Sequence, residues 1–288
     1  MGDHHHVSSK SILKFSDLRE QFDETGQPGA PKPPPIVGKH HLGVLAEMIE
    51  IVERQWRTNV RRGLIKGFFL VGPPGTGKTT LAKRLAYELG LKRREVSGGS
   101  SVVMALIDGA EIARSRYGES EERILDLFAH ARAGFTAADQ RSVVLFDDVE
   151  SIFMARGSQH AKEWHFSQDS VFFHAVDDLD TSRSVLVLTS NRPDLVDEAI
   201  RDRFLTYHID YPDRDTLIEI AMSLATLQQF SPAQCSLLEQ RLDDAITCGA
   251  VRSMRDVQRF VVQHYIADVL GRPSLAQTHS TPPADLTP

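Results

Sequence analysis

Cysteine is nearly absent: Cys235 and Cys248 are the only two in 288 residues. So sparse a supply excludes a disulfide-framed scaffold and a cysteine-built metal centre, and it suits reduced thiols in a cytosolic protein. Long apolar runs are missing too. No stretch approaches the roughly 20 residues that span a bilayer. The N-terminal "MGDHHHVSSKSILKF" lacks the apolar core of a secretory signal. The expectation is a cytoplasmic protein with no membrane partner. Positive charge is not in excess either: 33 Lys and Arg stand against 39 Asp and Glu, a net charge of −6. That balance argues against non-specific binding to nucleic acid. Twelve histidines, among them His4, His5 and His6, show no paired spacing of a metal site. What is present is 41% hydrophobic and 25% charged sequence, the proportions of a globular protein with one large domain or two smaller ones.

Residues 1–35 end in "GQPGAPKPPP" and read as a flexible N-terminal linker, because proline fixes its own dihedral and removes a donor. Residues 36–211 alternate. A helical stretch "HLGVLAEMIEIVERQWRTNVRRG" precedes "KGFFLVG", a buried strand. "KTTLAKRLAYELG" reads as a helix with Gly90 at its C-terminal end. "SVVMALID", "RSVVLFDDVE" and "RSVLVLTSN" are further strands. "SEERILDLFAHARA" reads as a helix that starts near Ser120. Apolar strands alternating with helices imply an α/β fold, a parallel sheet covered on both faces. Residues 212–270 read as three helices, one of them opened by Ser231-Pro232. Residues 271–288 read as a disordered tail. There is no internal repeat.

The chemistry concentrates in "VGPPGTGKTT". Its glycines Gly72, Gly75 and Gly77 let backbone N–H groups converge on phosphate oxygens, and Pro74, Thr76 and Thr80 complete the loop. Lys78 would neutralise β- and γ-phosphate charge, and the Thr79 hydroxyl would ligate Mg²⁺. The motif follows a predicted strand and opens a predicted helix, the context it requires. The cofactors implied are ATP and Mg²⁺. "VVLFDDVE" supplies the carboxylate that such a site needs at a neighbouring strand end: Asp147 for Mg²⁺, through water. Asp148 follows, where a general base would orient the attacking water. Aspartate is one methylene shorter than glutamate, which sets its carboxylate back by about 1.5 Å. The expectation is slow hydrolysis. Glu150 stands two positions on as the alternative carboxylate.

These two motifs, with "VLVLTSNRPD", "VDEAIRDRF" and the helical lobe, resemble the AAA+ ATPase module over residues 36–270. The resemblance implies a P-loop NTPase sheet with a small helical lid domain, and a ring, a homo-hexamer. It assigns Asn191 to sensor 1, beside the attacking water. It assigns Arg203, or else Arg201, to the arginine finger that reaches a neighbour's site. Arg252, or else Arg255, becomes sensor 2, and Ile36 and Val37 the adenine contacts. "SRYGESEERILDLF" is similar to the pore-loop segment of the protein-remodelling branch, with Tyr117 as the residue that grips substrate. Here Tyr117-Gly118 is one residue short of the aromatic–aliphatic–glycine pattern. "DDVESIFMAR", "VDEAIRDRF" and the longer "GFTAADQ" resemble the pachytene-checkpoint group. That likeness implies a HORMA-domain protein as partner, as in compact bacterial members that act in antiphage signalling. The alternative is an ATP-gated scaffold that hydrolyses little, which Asp148 favours.

Overall fold

A computed structural model describes residues 13–14, 36–63, 65–97, 102–108, 119–133, 140–153 and 163–271. They fall into two compact units. The first ends at Ile209; the second takes Pro74–Thr76 and the residues from Asp210 onward.

The first unit is built on strands whose sequence leaves no polar side to face water. Its elements are β1 (Leu13–Lys14), α1 (Lys39–Thr58), β2 (Gly67–Val71), α2 (Lys78–Ser97), β3 (Val102–Asp108), α3 (Glu119–Ala133), β4 (Arg141–Asp147), α4 (Glu163–Asp177), β5 (Ser184–Ser190), α5 (Glu198–Arg203) and β6 (Leu205–His208). Every residue of β2 and β5 is buried. The strand order is β1-β3-β4-β5-β2-β6, and β3, β4, β5, β2 and β6 run parallel. The short β1 pairs antiparallel with β3 at the edge. Alternation sorts the side chains of each strand. Phe69, Val71, Val144, Phe146, Leu186 and Leu188 face one core with Ile124 and Phe128 of α3 and Phe172 of α4. Phe68, Leu70, Val143, Leu145, Val185 and Val187 face the other, with Met48 and Val52 of α1 and Leu81, Leu85 and Leu89 of α2. A sheet covered on both faces is the reason that its inner strands β2, β4 and β5 are mostly apolar.

Two helix boundaries differ from the sequence reading. α2 does not stop at Gly90 but runs on to Ser97. Gly90 is buried and keeps negative φ. A mid-helix glycine costs only about 1 kcal/mol against alanine, and the residues after it are good helix formers. α3 begins at Glu119, so Ser120 lies in its first turn rather than before it. α1 behaves as its pattern predicts: Val44, Leu45, Met48, Ile49, Val52 and Trp56 are buried on one stripe, and Asn59, at φ 53°, ends the helix.

Among its described residues the second unit holds three α-helices, α6 (Arg214–Leu227), α7 (Pro232–Thr247) and α8 (Met254–His264), the last running on into a π-helical turn, Tyr265–Val269. Each starts at a side-chain cap. Asp213 accepts from the Thr216 amide at 2.8 Å. Ser231 with Gln234 and Ser253 with Asp256 form reciprocal capping boxes. Leu217, Ala221, Ala225, Leu238, Leu242, Val257 and Val261 make its core.

Candidate functional site

Parallel strands end at the same edge, so the loops after β2, β4 and β5 open side by side. β5 lies between β2 and β4. It therefore carries Asn191 to a point between the glycine loop that follows β2 and the two aspartates that end β4. Ligands of open α/β sheets bind at this edge.

The glycine loop has the backbone that its sequence requires. Gly72, Gly75 and Gly77 hold φ of 152°, 80° and 95°. At Gly72 space forbids a side chain as well: a Cβ there would lie 2.1 Å from the Ile209 carbonyl oxygen. Gly72 N–H continues the sheet by donating to Ser190 O at 3.2 Å. Lys78 is 6% exposed. Its ammonium donates to Gly72 O, Pro73 O and Asn191 Oδ1, each at 2.8 Å. A largely buried cation at the start of a helix, beside a glycine loop, suits an anion.

Thr79 Oγ1 donates to the Asp147 carboxylate, at 2.9 Å to Oδ1 and 3.2 Å to Oδ2. The Thr189 hydroxyl donates to Asp147 Oδ1 at 2.5 Å and accepts the Asp148 amide at 3.1 Å. Asp148 is exposed and sits in the left-handed region, φ 54° and ψ 55°. Aspartate tolerates that region better than most residues. The kink turns the chain out of β4 into a 3₁₀ turn, Val149–Ser151. Asn191 Nδ2 donates to Asp148 Oδ1 at 2.7 Å. One amide thus joins Lys78 on its oxygen side to Asp148 on its nitrogen side.

Thr79 and Asp147 fit a hard cation. They offer two oxygens already in contact, and Mg²⁺ shared with phosphate and water needs no more from protein. No group of three or more His, Cys, Asp or Glu among the described residues could hold a metal alone.

Thr80 is in the first turn of α2. Ile36 and Val37 are half-buried ahead of α1, and Ile36 packs on the core beneath that helix. Arg203 closes α5. Its Nε and Nη2 reach the two Asp177 oxygens at 3.1 and 3.4 Å, its Nη1 donates to Ala199 O at 3.2 Å, and its guanidinium lies 4.6 Å from the Phe173 ring centre. Arg201 donates to Pro193 O. Arg252 and Arg255 belong to the second unit, where Arg252 Nε donates to Gly249 O at 3.0 Å. Tyr117 lies outside the described residues. The sequence reading missed Thr189, a hydroxyl inside an otherwise apolar strand, and, though it named Glu150 as an alternative carboxylate, missed its contact with Asn191, whose amide it accepts at 3.2 Å. The first left a signal, a break in an apolar run; the second left none.

Residues 68–210 match the family described as ATPase family associated with various cellular activities, AAA. Curated relatives match about half of the chain. A "Proteasome-associated ATPase" of Acidimicrobium ferrooxidans is 32% identical over 177 residues, 58% of this chain and 30% of that protein. An "AAA ATPase forming ring-shaped complexes" of Corynebacterium kroppenstedtii is 36% identical over 161 residues, 54% of this chain and 27% of its own length. The "Vesicular-fusion protein SEC18" of Saccharomyces cerevisiae is 33% identical over 143 residues, 47% of this chain and 17% of its own. The chain spans less than a third of the length of these relatives.

Proposed function

We propose, from the premise that residues 68–210 form an AAA ATPase domain, that this chain hydrolyses ATP with Mg²⁺ and works as a ring that remodels a protein partner. The observation that carries the reading is the line of contacts from Lys78 through Asn191 to Asp148, beside the Thr79–Asp147 pair. In this reading the glycine loop and Lys78 bind the β- and γ-phosphates, whose oxygens take over from the carbonyls that now surround the ammonium. Thr79 and Asp147 hold Mg²⁺, which when bound neutralises charge on the transferring phosphoryl group. Asn191 lies where the γ-phosphate and the attacking water meet. Asp148 orients that water. Arg203 supplies charge to a neighbour's site, and Arg252 belongs to the lobe that senses nucleotide. Names of relatives that form rings support an assembly, taken here as a hexamer. The finer reading, a HORMA-domain partner in an antiphage system with Tyr117 gripping it, rests on the sequence motifs.

A second reading is favoured by one residue. Asp148 is short, and its carboxylate is bound to Asn191. A misplacement near 1 Å costs on the order of 100-fold in rate, so the ring would bind ATP and act as a slow scaffold.

Steady-state ATP hydrolysis measured against protein concentration tests both, with Lys78→Ala as the blank. Turnover per chain that rises with concentration, and rises further with a HORMA-domain protein, is the expected result. Negligible turnover that Asp148→Glu restores would replace the motor by the scaffold. Turnover unmoved by any HORMA-domain protein would remove that partner and leave the ATPase standing.

A further inference from the structure

Asn191 is the first residue beyond the ladder of β5. The pairing with β2 ends at Val71 opposite Ser190, so the Asn191 amide N–H has no strand to receive it. A backbone donor in that position needs an acceptor. Glu150 provides it: Oε1 accepts the Asn191 N–H at 3.2 Å. Glu150 sits on the 3₁₀ turn immediately after Asp148, so this carboxylate ties the loop beyond β4 to the loop beyond β5. Its other oxygen, Oε2, is buried and has no hydrogen-bond partner among the described residues. Leaving a carboxylate oxygen so placed costs stability. For packing alone an apolar side chain would do better.

We propose that Glu150 is a positioning residue for hydrolysis, holding the Asn191 backbone so that one side-chain amide spans Lys78 and Asp148. The proposal rests on the ATPase reading above. Asn191 reaches 2.8 Å to Lys78 and 2.7 Å to Asp148 at once. A bridge with both ends near the hydrogen-bond optimum tolerates little movement of its root. Glu150 fixes that root. It thereby compensates for the short Asp148 in geometry, by holding the amide that aims it, rather than in proton transfer.

The test uses the full chain with Glu150→Ala and Glu150→Gln, each measured for kcat and KM and for relative affinity for ATP and ADP by displacement of a fluorescent nucleotide. Glutamine keeps an oxygen for the Asn191 N–H; alanine does not. Glu150→Ala is expected to lose about tenfold or more in kcat, the scale set by one buried hydrogen bond and the misalignment that follows. Its KM is expected to move less than about threefold, because the glycine loop and Lys78 are untouched. Its preference for ATP over ADP is expected to fall, since in the ATPase reading Asn191 would contact the γ-phosphate, which ADP lacks. Glu150→Gln is expected to retain all three values within about threefold. Should glutamine fail as badly as alanine, the negative charge is what matters and Glu150 would be the base itself. Should alanine behave as wild type, the contact is idle. Either result overturns the proposal. A wild-type chain that binds ATP but does not hydrolyse it sinks the motor reading alone, and the ATP-over-ADP preference then decides for or against Glu150. A chain that binds no nucleotide ends both.

Discussion

At Gly72 two independent constraints meet. Its φ of 152° suits glycine, and the Ile209 carbonyl occupies the place of a Cβ. Gly72→Ala must push Ile209 away, and Ile209 N–H donates to Val71 O at 2.7 Å where β6 ends beside β2. The variant is expected to lower the thermal midpoint by several degrees and to weaken nucleotide binding at least about tenfold, scored by melting and by fluorescent-nucleotide titration. Lys78→Ala separates the two effects. It removes the loop's cation and leaves the glycine backbone as it is, so binding should collapse while the midpoint moves little. Both outcomes follow from the same loop, one through its backbone and one through its charge.

At the scale of elements, side-chain caps add to the small core that holds the helices of the second unit. The Ser231 amide donates to Gln234 Oε1 at 2.8 Å, and the Ser231 hydroxyl accepts the Gln234 amide at 3.4 Å. Ser231→Ala is expected to cost about 1 kcal/mol, read by urea unfolding, with ATP hydrolysis nearly unchanged. α8 carries a pH dependence. His264 is buried, stacked on Phe230 and flanked by Asp268 at 3.1 Å and Arg241 at 3.5 Å. Burial holds its imidazole below the ordinary value of 6.5, against the opposing pull of Asp268. As pH falls, the unfolded chain therefore takes up this proton before the folded one does. The contribution is complete above pH 6.5 and is lost as pH drops from there toward the folded-state value. The urea midpoint of wild type should decline across that window, and His264→Leu should flatten the decline. An equal decline in both proteins would assign it elsewhere.

Considered as a whole, the molecule binds its own finger candidate. All three guanidinium nitrogens of Arg203 are engaged within the chain, by Asp177 and Ala199, and the group stacks on Phe173. The side chain is 32% exposed, and an ion pair in that setting contributes less than about 1 kcal/mol. Arg203→Ala is thus expected to fold nearly as well as wild type. If the finger acts in a neighbour's site, turnover should fall on the order of 1,000-fold and lose its dependence on protein concentration. An Arg203→Ala enzyme with wild-type turnover would return the finger to Arg201 or dismiss it.

Much of this was legible in the residues. The glycine loop announces its own function, because few other purposes need bare backbone, a lysine and a hydroxyl in that spacing between a strand and a helix. The apolar strands announce a two-faced sheet. Ser231 with Pro232 marks a helix start, since capping is a local exchange between near neighbours in sequence. Gly90 misled, because its cost of about 1 kcal/mol yielded to the good helix formers that follow it. Tertiary structure alone decided the rest. It inserted β5 between β2 and β4, and only that order brings Asn191 within reach of both Lys78 and Asp148, which are remote from it in sequence. It turned Asp148 into a left-handed kink and left Glu150 as the acceptor for an amide beyond the end of the ladder. Local chemistry is written in spacing; a site assembled across strands depends on which strand ends lie side by side, and that is set by the packing of the whole sheet.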